Sequence, residues 1–192
     1  MKKIKVGIDI DDVVVQFVKS YLRRYNQLFD KNVKVAEINT YDLWKPLKIS
    51  RQESINLVLD FYDSPEFDDL ELVEGVKDGL EKLSEEYLIY LITARHESTK
   101  DKTKKYFNSK FSENGYEILF AGDFFGENKS KAELCKEFDI KIMVEDNGAY
   151  AFDCASKGIK TFLLDKPWNK DYQKHENLIK VKNWKEIMEK LK

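Results

Sequence analysis

Short apolar runs rich in β-branched residues alternate with longer stretches of helical periodicity along most of this chain. The runs are Ile4 to Ile8, Tyr87 to Ile92, Glu117 to Phe120, Ile142 to Val144, Thr161 to Leu164 and Leu178 to Val181. Their near-continuous apolar character predicts strands covered on both faces. Helical patterns fill the intervals at Val76 to Glu85, Ser98 to Phe111, Lys131 to Phe138 and Ala149 to Lys157, and Trp184 to Leu191 closes the chain. Strand–helix alternation of this kind predicts an α/β fold, a parallel sheet with helices on both sides.

One interval breaks the rhythm. Between Val13 and Gly75 no strand pattern is convincing, while Phe17, Tyr21, Leu28, Ile55, Val58, Leu59 and Tyr62 recur at near-helical spacing. The stretch from Lys31 to Lys48, with Trp44 and Pro46, is irregular. We expect residues 15–74 to form a small helical module inserted after the first strand, with residues 1–14 and 75–192 forming the core. The natural place of such an insert is over the strand ends, as a lid.

Bulk properties narrow the picture only slightly. With 192 residues, 42% hydrophobic and 13% aromatic, the chain is long and apolar enough for one packed domain with an appendage. A net charge of −2, with Lys and Arg spread throughout, argues against a nucleic-acid polymer as partner. The basic run Lys100 to Lys105 is broken by Asp101 and reads as a solvated helix face. No apolar run reaches membrane-spanning length, and no membrane partner is expected. Cys135 and Cys154 have neither metal-type spacing nor a disulfide framework, which fits a cytoplasmic location.

In open α/β sheets, ligands sit outside the carboxyl ends of the strands, so the residues following each run carry the chemistry. Asp9, Asp11 and Asp12 follow the first and Thr93, Ala94, Arg95 and His96 the second. Gly122 and Asp123 follow the third, Glu145, Asp146 and Asn147 the fourth, and Asp165 to Trp168 the fifth. Lys129 and Lys131 stand at the start of the helix preceding the fourth run. Singly, each has a plain structural explanation: a turn, a helix cap or a solvated side chain. Together, at successive strand ends, they make a site.

The cluster suits phosphoryl chemistry. Clustered carboxylates repel one another unless a cation compensates, and an oxygen-rich set suits Mg²⁺. A lysine and a threonine hydroxyl can hold phosphoryl oxygens. One carboxylate can attack phosphorus while a neighbour moves the proton of the leaving oxygen.

At this point the chain is identified as resembling the haloacid dehalogenase (HAD) superfamily of phosphatases. Asp9-Ile10-Asp11-Asp12-Val13 matches its first motif, Leu91-Ile92-Thr93 the second, Lys131 the third and Glu145-Asp146 the fourth. The resemblance implies a Rossmann-like, three-layer core and a Mg²⁺ requirement, with the insert after the first strand in the position of the family's first cap type. It also implies Asp9 as nucleophile, Asp11 as general acid/base, and Thr93 and Lys131 as holders of the transferring group. Asp146 would bind metal alongside Asp9 and the Asp11 backbone carbonyl, with Glu145 in support; Lys129 is the second candidate for the lysine.

A narrower similarity is to the 5'(3')-deoxyribonucleotidase branch. It rests on Phe17, eight residues after Asp9, on the aromatic insert with Trp44, Phe61 and Tyr62, and on Leu163 to Asn169, an apolar strand followed by Pro-aromatic-Asn. It implies hydrolysis of (deoxy)ribonucleoside monophosphates, with Phe17, Trp44 and Arg95 contacting substrate. Asp12 and Ala94-Arg95 depart from the branch's usual residues, which bears on substrate more than on chemistry. Two alternatives stand beside this reading: the same chemistry on another small ester such as a sugar phosphate, and a non-catalytic phospho-receiver module phosphorylated on Asp123. A homodimer is left open.

Overall fold

The structure, a computed structural model, describes residues 3–111, 116–122 and 129–191. Six strands, β1 (Ile4–Asp9), β2 (Tyr87–Thr93), β3 (Tyr116–Phe120), β4 (Ile142–Glu145), β5 (Lys160–Leu164) and β6 (Leu178–Val181), form one sheet in the order β3-β2-β1-β4-β5-β6. Every pairing is parallel. The six strands lie where the apolar runs predicted them. Asp123 lies outside the described residues.

Side-chain alternation along the strands divides the core. Val6 and Ile8 of β1, Ile89 and Leu91 of β2, Val144 and Phe162 point to one face. There they meet α5 (Val76–Glu86), α6 (Lys100–Lys110) and α9 (Trp184–Leu191) through Leu80, Leu83, Phe107, Trp184 and Ile187. Ile92 and Met143 point to the other face, against α7 (Lys131–Glu137) and α8 (Gly148–Ser156) through Ala132, Leu134, Cys135 and Cys154. The central strand carries Gly7 because a Cβ there would stand 2.8 Å from Met143 Sδ and 2.9 Å from Ile92 Cδ1.

Between β1 and α5 lie four helices: α1 (Phe17–Phe29), α2 (Trp44–Leu47), α3 (Arg51–Tyr62) and α4 (Pro65–Asp68). Ser50 starts α3 with a capping box, its Oγ accepting from the Glu53 N–H while the Glu53 carboxylate accepts from the Ser50 N–H at 2.9 Å. Phe17 and Phe61 meet edge-on at 5.2 Å, and Phe61 meets Tyr21 and Phe67 the same way. These rings share one apolar cluster with β1 and β2. The apolar cluster is therefore continuous from the insert into the core beneath the sheet.

The chain leaves β1 toward β2 and β3, then restarts on β1's other side with β4. The strand order reverses between β1 and β4, and their carboxyl ends open a crevice there.

Candidate active site

Asp9 ends β1 and Glu145 ends β4, with Asp146 one residue on. The reversal of strand order brings them together: one carboxylate oxygen from each of Asp9, Glu145 and Asp146 lies within 4.8 Å of the others, all three buried. Lys131, the first residue of α7, reaches the same point. Its Nζ donates to Asp9 Oδ1 at 2.6 Å and to Glu145 Oε1 and Oε2 at 3.0 and 3.3 Å. Ser130 fixes where α7 begins by accepting from the Glu133 N–H. Lys129, two residues earlier, is 60% exposed and pairs with Glu137, so of the two candidate lysines only Lys131 enters the site.

The charges do not balance. Five carboxylates (Asp9, Asp11, Asp12, Glu145 and Asp146) crowd around two buried cations, Lys131 and Arg95. Burial pushes the carboxyls of Asp9, Glu145 and Asp146 above their ordinary range, Lys131 pulls them back, and mutual repulsion adds to the rise. Asp12 is pushed up to about 7 by burial, against the pull of Lys166 and of the Val18 N–H. Burial alone would lower Lys131, but the Asp9 and Glu145 charges hold it well above the ordinary lysine value. A buried, oxygen-only donor set with unbalanced negative charge fits a divalent cation such as Mg²⁺.

Asp11 has a cation of its own. Its carboxylate accepts from Arg95 Nε at 2.9 and 3.2 Å and from Arg95 Nη2 at 2.6 Å. Asp12 takes a left-handed backbone (φ 58°) and its carboxylate accepts the Val18 N–H at 3.1 Å, capping the entry into α1. Thr93 ends β2 fully buried, and its Oγ1 accepts the Arg95 N–H at 3.1 Å. Ala94 and Arg95, rather than Thr93, face the cavity beside it.

That cavity, about 250 Å³, lies between the strand ends and the insert. Asp9, Asp11, Asp146 and Lys131 line its floor, and Phe17, Tyr41, Trp44 and Tyr62 line its walls. Phe17 and Trp44 thus border the same cavity as Asp9 and Lys131. Arg95 also borders it, but its donors are engaged by Asp11 and, through Nη1, by Thr103 Oγ1 at 3.0 Å.

Sequence reasoning gave no role in the site to four residues here, although it noted Trp168 and Asn169 after the fifth run. Trp168 Nε1 donates to Asp146 Oδ2 at 2.7 Å, and Asn169 Nδ2 donates to the Asp146 carbonyl at 2.7 Å. Their place after β5 was the available signal. Tyr150 meets Tyr41 edge-on at 6.1 Å and lies under Lys131 Nζ at 5.1 Å; nothing local marks Tyr41.

Comparison with known proteins agrees with this fold. The chain is similar in structure to "Hydrolase, haloacid dehalogenase-like family protein SP0104 from Streptococcus pneumoniae" (TM-score 0.66, 16% identity, 99% of each chain). It is also similar to YfnB from Bacillus subtilis bound to magnesium (TM-score 0.64, 15% identity, 99% of each chain). Fold and site together define a HAD-like hydrolase. In sequence, the chain is 24% identical over 187 residues to "Nucleotidase CA_C3379" of Clostridium acetobutylicum, covering 97% of this chain and 93% of that protein. Residues 2–191 match the family described as "5' nucleotidase, deoxy (Pyrimidine), cytosolic type C protein", and the chain belongs to it. It is an enzyme of the HAD nucleotidase class. Among the described residues no helix is long and apolar enough to cross a membrane.

Proposed function

We propose that the chain is a Mg²⁺-dependent phosphomonoesterase that works through an aspartyl-phosphate and acts on (deoxy)ribonucleoside monophosphates in the cytoplasm. The observation that carries this reading is the buried cluster of Asp9, Glu145, Asp146 and Lys131 at the floor of an aromatic-walled cavity. Asp9, Asp146 and the Asp11 carbonyl would hold Mg²⁺, supported by Glu145; when bound, the ion neutralises phosphoryl charge.

The chain's own groups supply the remaining chemistry. An Asp9 carboxylate oxygen attacks phosphorus, and the bond from phosphorus to the ester oxygen breaks. Asp11 delivers a proton to the departing oxygen. Water then attacks the phosphorus of the aspartyl-phosphate and returns a proton to Asp11, releasing phosphate and restoring Asp9. Lys131 steadies the negative oxygens throughout, and Thr93 shapes the turn that borders them. The insert of residues 15–74 acts as the cap, and Phe17 and Trp44 present ring surface to the nucleoside.

The test is phosphate release with Mg²⁺ across deoxyribo- and ribonucleoside monophosphates and sugar phosphates, with Asp9→Asn as control. Preference for nucleotides and an inert Asp9→Asn enzyme are expected. Preference for a sugar phosphate would overturn the substrate, and an active Asp9→Asn enzyme would overturn the mechanism.

A further inference from the structure

Arg95 follows the second motif directly, where a cation bordering the cavity would be expected to bind substrate. Its surroundings say otherwise. Both residues border the cavity, but the Arg95 side chain is 1% exposed and that of Asp11 is 21% exposed, so the carboxylate is the more open of the two and the arginine is largely covered. Nε and Nη2 form the two-pronged grip on Asp11 that a planar guanidinium makes best. Nη1 is tied to Thr103 Oγ1 on α6 at 3.0 Å. The guanidinium lies over the Phe67 ring at 4.7 Å, and Phe67 belongs to the ring cluster that backs the cavity wall. The backbone is held as well, through the Arg95 N–H on Thr93 Oγ1. Helix α6 and helix α4 therefore converge on this one side chain, and strand β2 holds its backbone.

We propose that Arg95 is a positioning residue for Asp11: it fixes the carboxylate that carries the leaving group's proton and touches no substrate itself. This rests on the phosphatase reading above, in which Asp11 is the acid/base. Without Arg95, Asp11 would lose its only two-pronged partner among the described residues and rotate away from the departing oxygen.

The experiment compares esters by leaving group. Phenyl phosphate and 4-nitrophenyl phosphate have nearly the same shape, but phenolate needs a proton to leave far more than nitrophenolate does. For Arg95→Met, kcat/KM should fall about 100-fold on phenyl phosphate and on a deoxynucleoside monophosphate, and less than about 5-fold on 4-nitrophenyl phosphate. In an Asp11→Asn background, Arg95→Met should cost less than about 2-fold more. Thr103→Val, which removes only the anchor, should give the same leaving-group pattern more weakly, and it carries the test if Arg95→Met does not fold. Equal losses on both aryl esters, a raised KM with kcat unchanged, or full additivity with Asp11→Asn would overturn the proposal. A wild-type protein that releases phosphate from none of the esters would overturn the phosphatase reading itself, and this assignment with it.

Discussion

The indole N–H of Trp168 donates to Asp146 Oδ2 at 2.7 Å, and the next residue, Asn169, ties the Asp146 backbone to the Leu164 carbonyl. Two consecutive residues after β5 thus orient the carboxylate after β4. Outer-shell hydrogen bonds of this kind hold a ligand in the geometry a metal needs. Trp168→Phe keeps most of the packing and loses the donor. Mg²⁺ affinity, measured by calorimetry without substrate, should fall about 10-fold or more. Unchanged affinity would mean that Trp168 serves only to fill the core.

Lys131 is the one cation among the described residues shown bonded to both Asp9 and Glu145. Removing it leaves two buried carboxylates uncompensated, which costs more than the pair contributes when intact. Lys131→Met should lose about 3–5 kcal/mol in urea unfolding at pH 7.5 without metal, and most phosphatase activity with it. Added Mg²⁺ should restore part of the stability.

The pH dependence of the metal-free protein has a definite sign. Asp9, Asp12, Glu145 and Asp146 all have carboxyls raised by burial, Asp12 to about 7. A carboxyl raised on folding holds its proton in the native state after the unfolded chain has released it. Its contribution is complete at low pH, below the unfolded value, and is lost as pH rises through the folded value. In EDTA, Tm should therefore be higher near pH 5.5 than near pH 7.5, by several degrees or about 5 °C. Saturating Mg²⁺ should shrink or reverse the difference, because the ion binds the ionised carboxylates. A metal-free Tm that rises across this window would contradict the charge imbalance.

Phe17 presents its ring to the cavity while packing edge-on against Phe61. If the ring faces the nucleoside, Phe17→Ala should raise KM for nucleoside monophosphates by about 10-fold and leave 4-nitrophenyl phosphate nearly unchanged. Equal effects on both esters would assign Phe17 to packing alone.

Much of this site was legible before any fold was known. Burial on two faces makes a parallel strand continuously apolar, and ligands collect where such strands end. Asp9, Asp11, Lys131, Glu145 and Asp146 could therefore be picked out by position, and the alternation of runs and helices was enough for the α/β class. What the residues do to one another was another matter. Arg95 and Asp11 are separated by 84 positions, and their ion pair exists because β1 and β2 are neighbours in the sheet. Trp168 finds Asp146 because β5 lies beside β4. Lys131 enters while Lys129 stays in solvent because the capping box at Ser130 sets the rotation of α7. Local pattern determines which elements form, because burial and backbone geometry act over a few residues. Partner choice among charged groups depends on strand order and helix rotation, which only the tertiary structure decides.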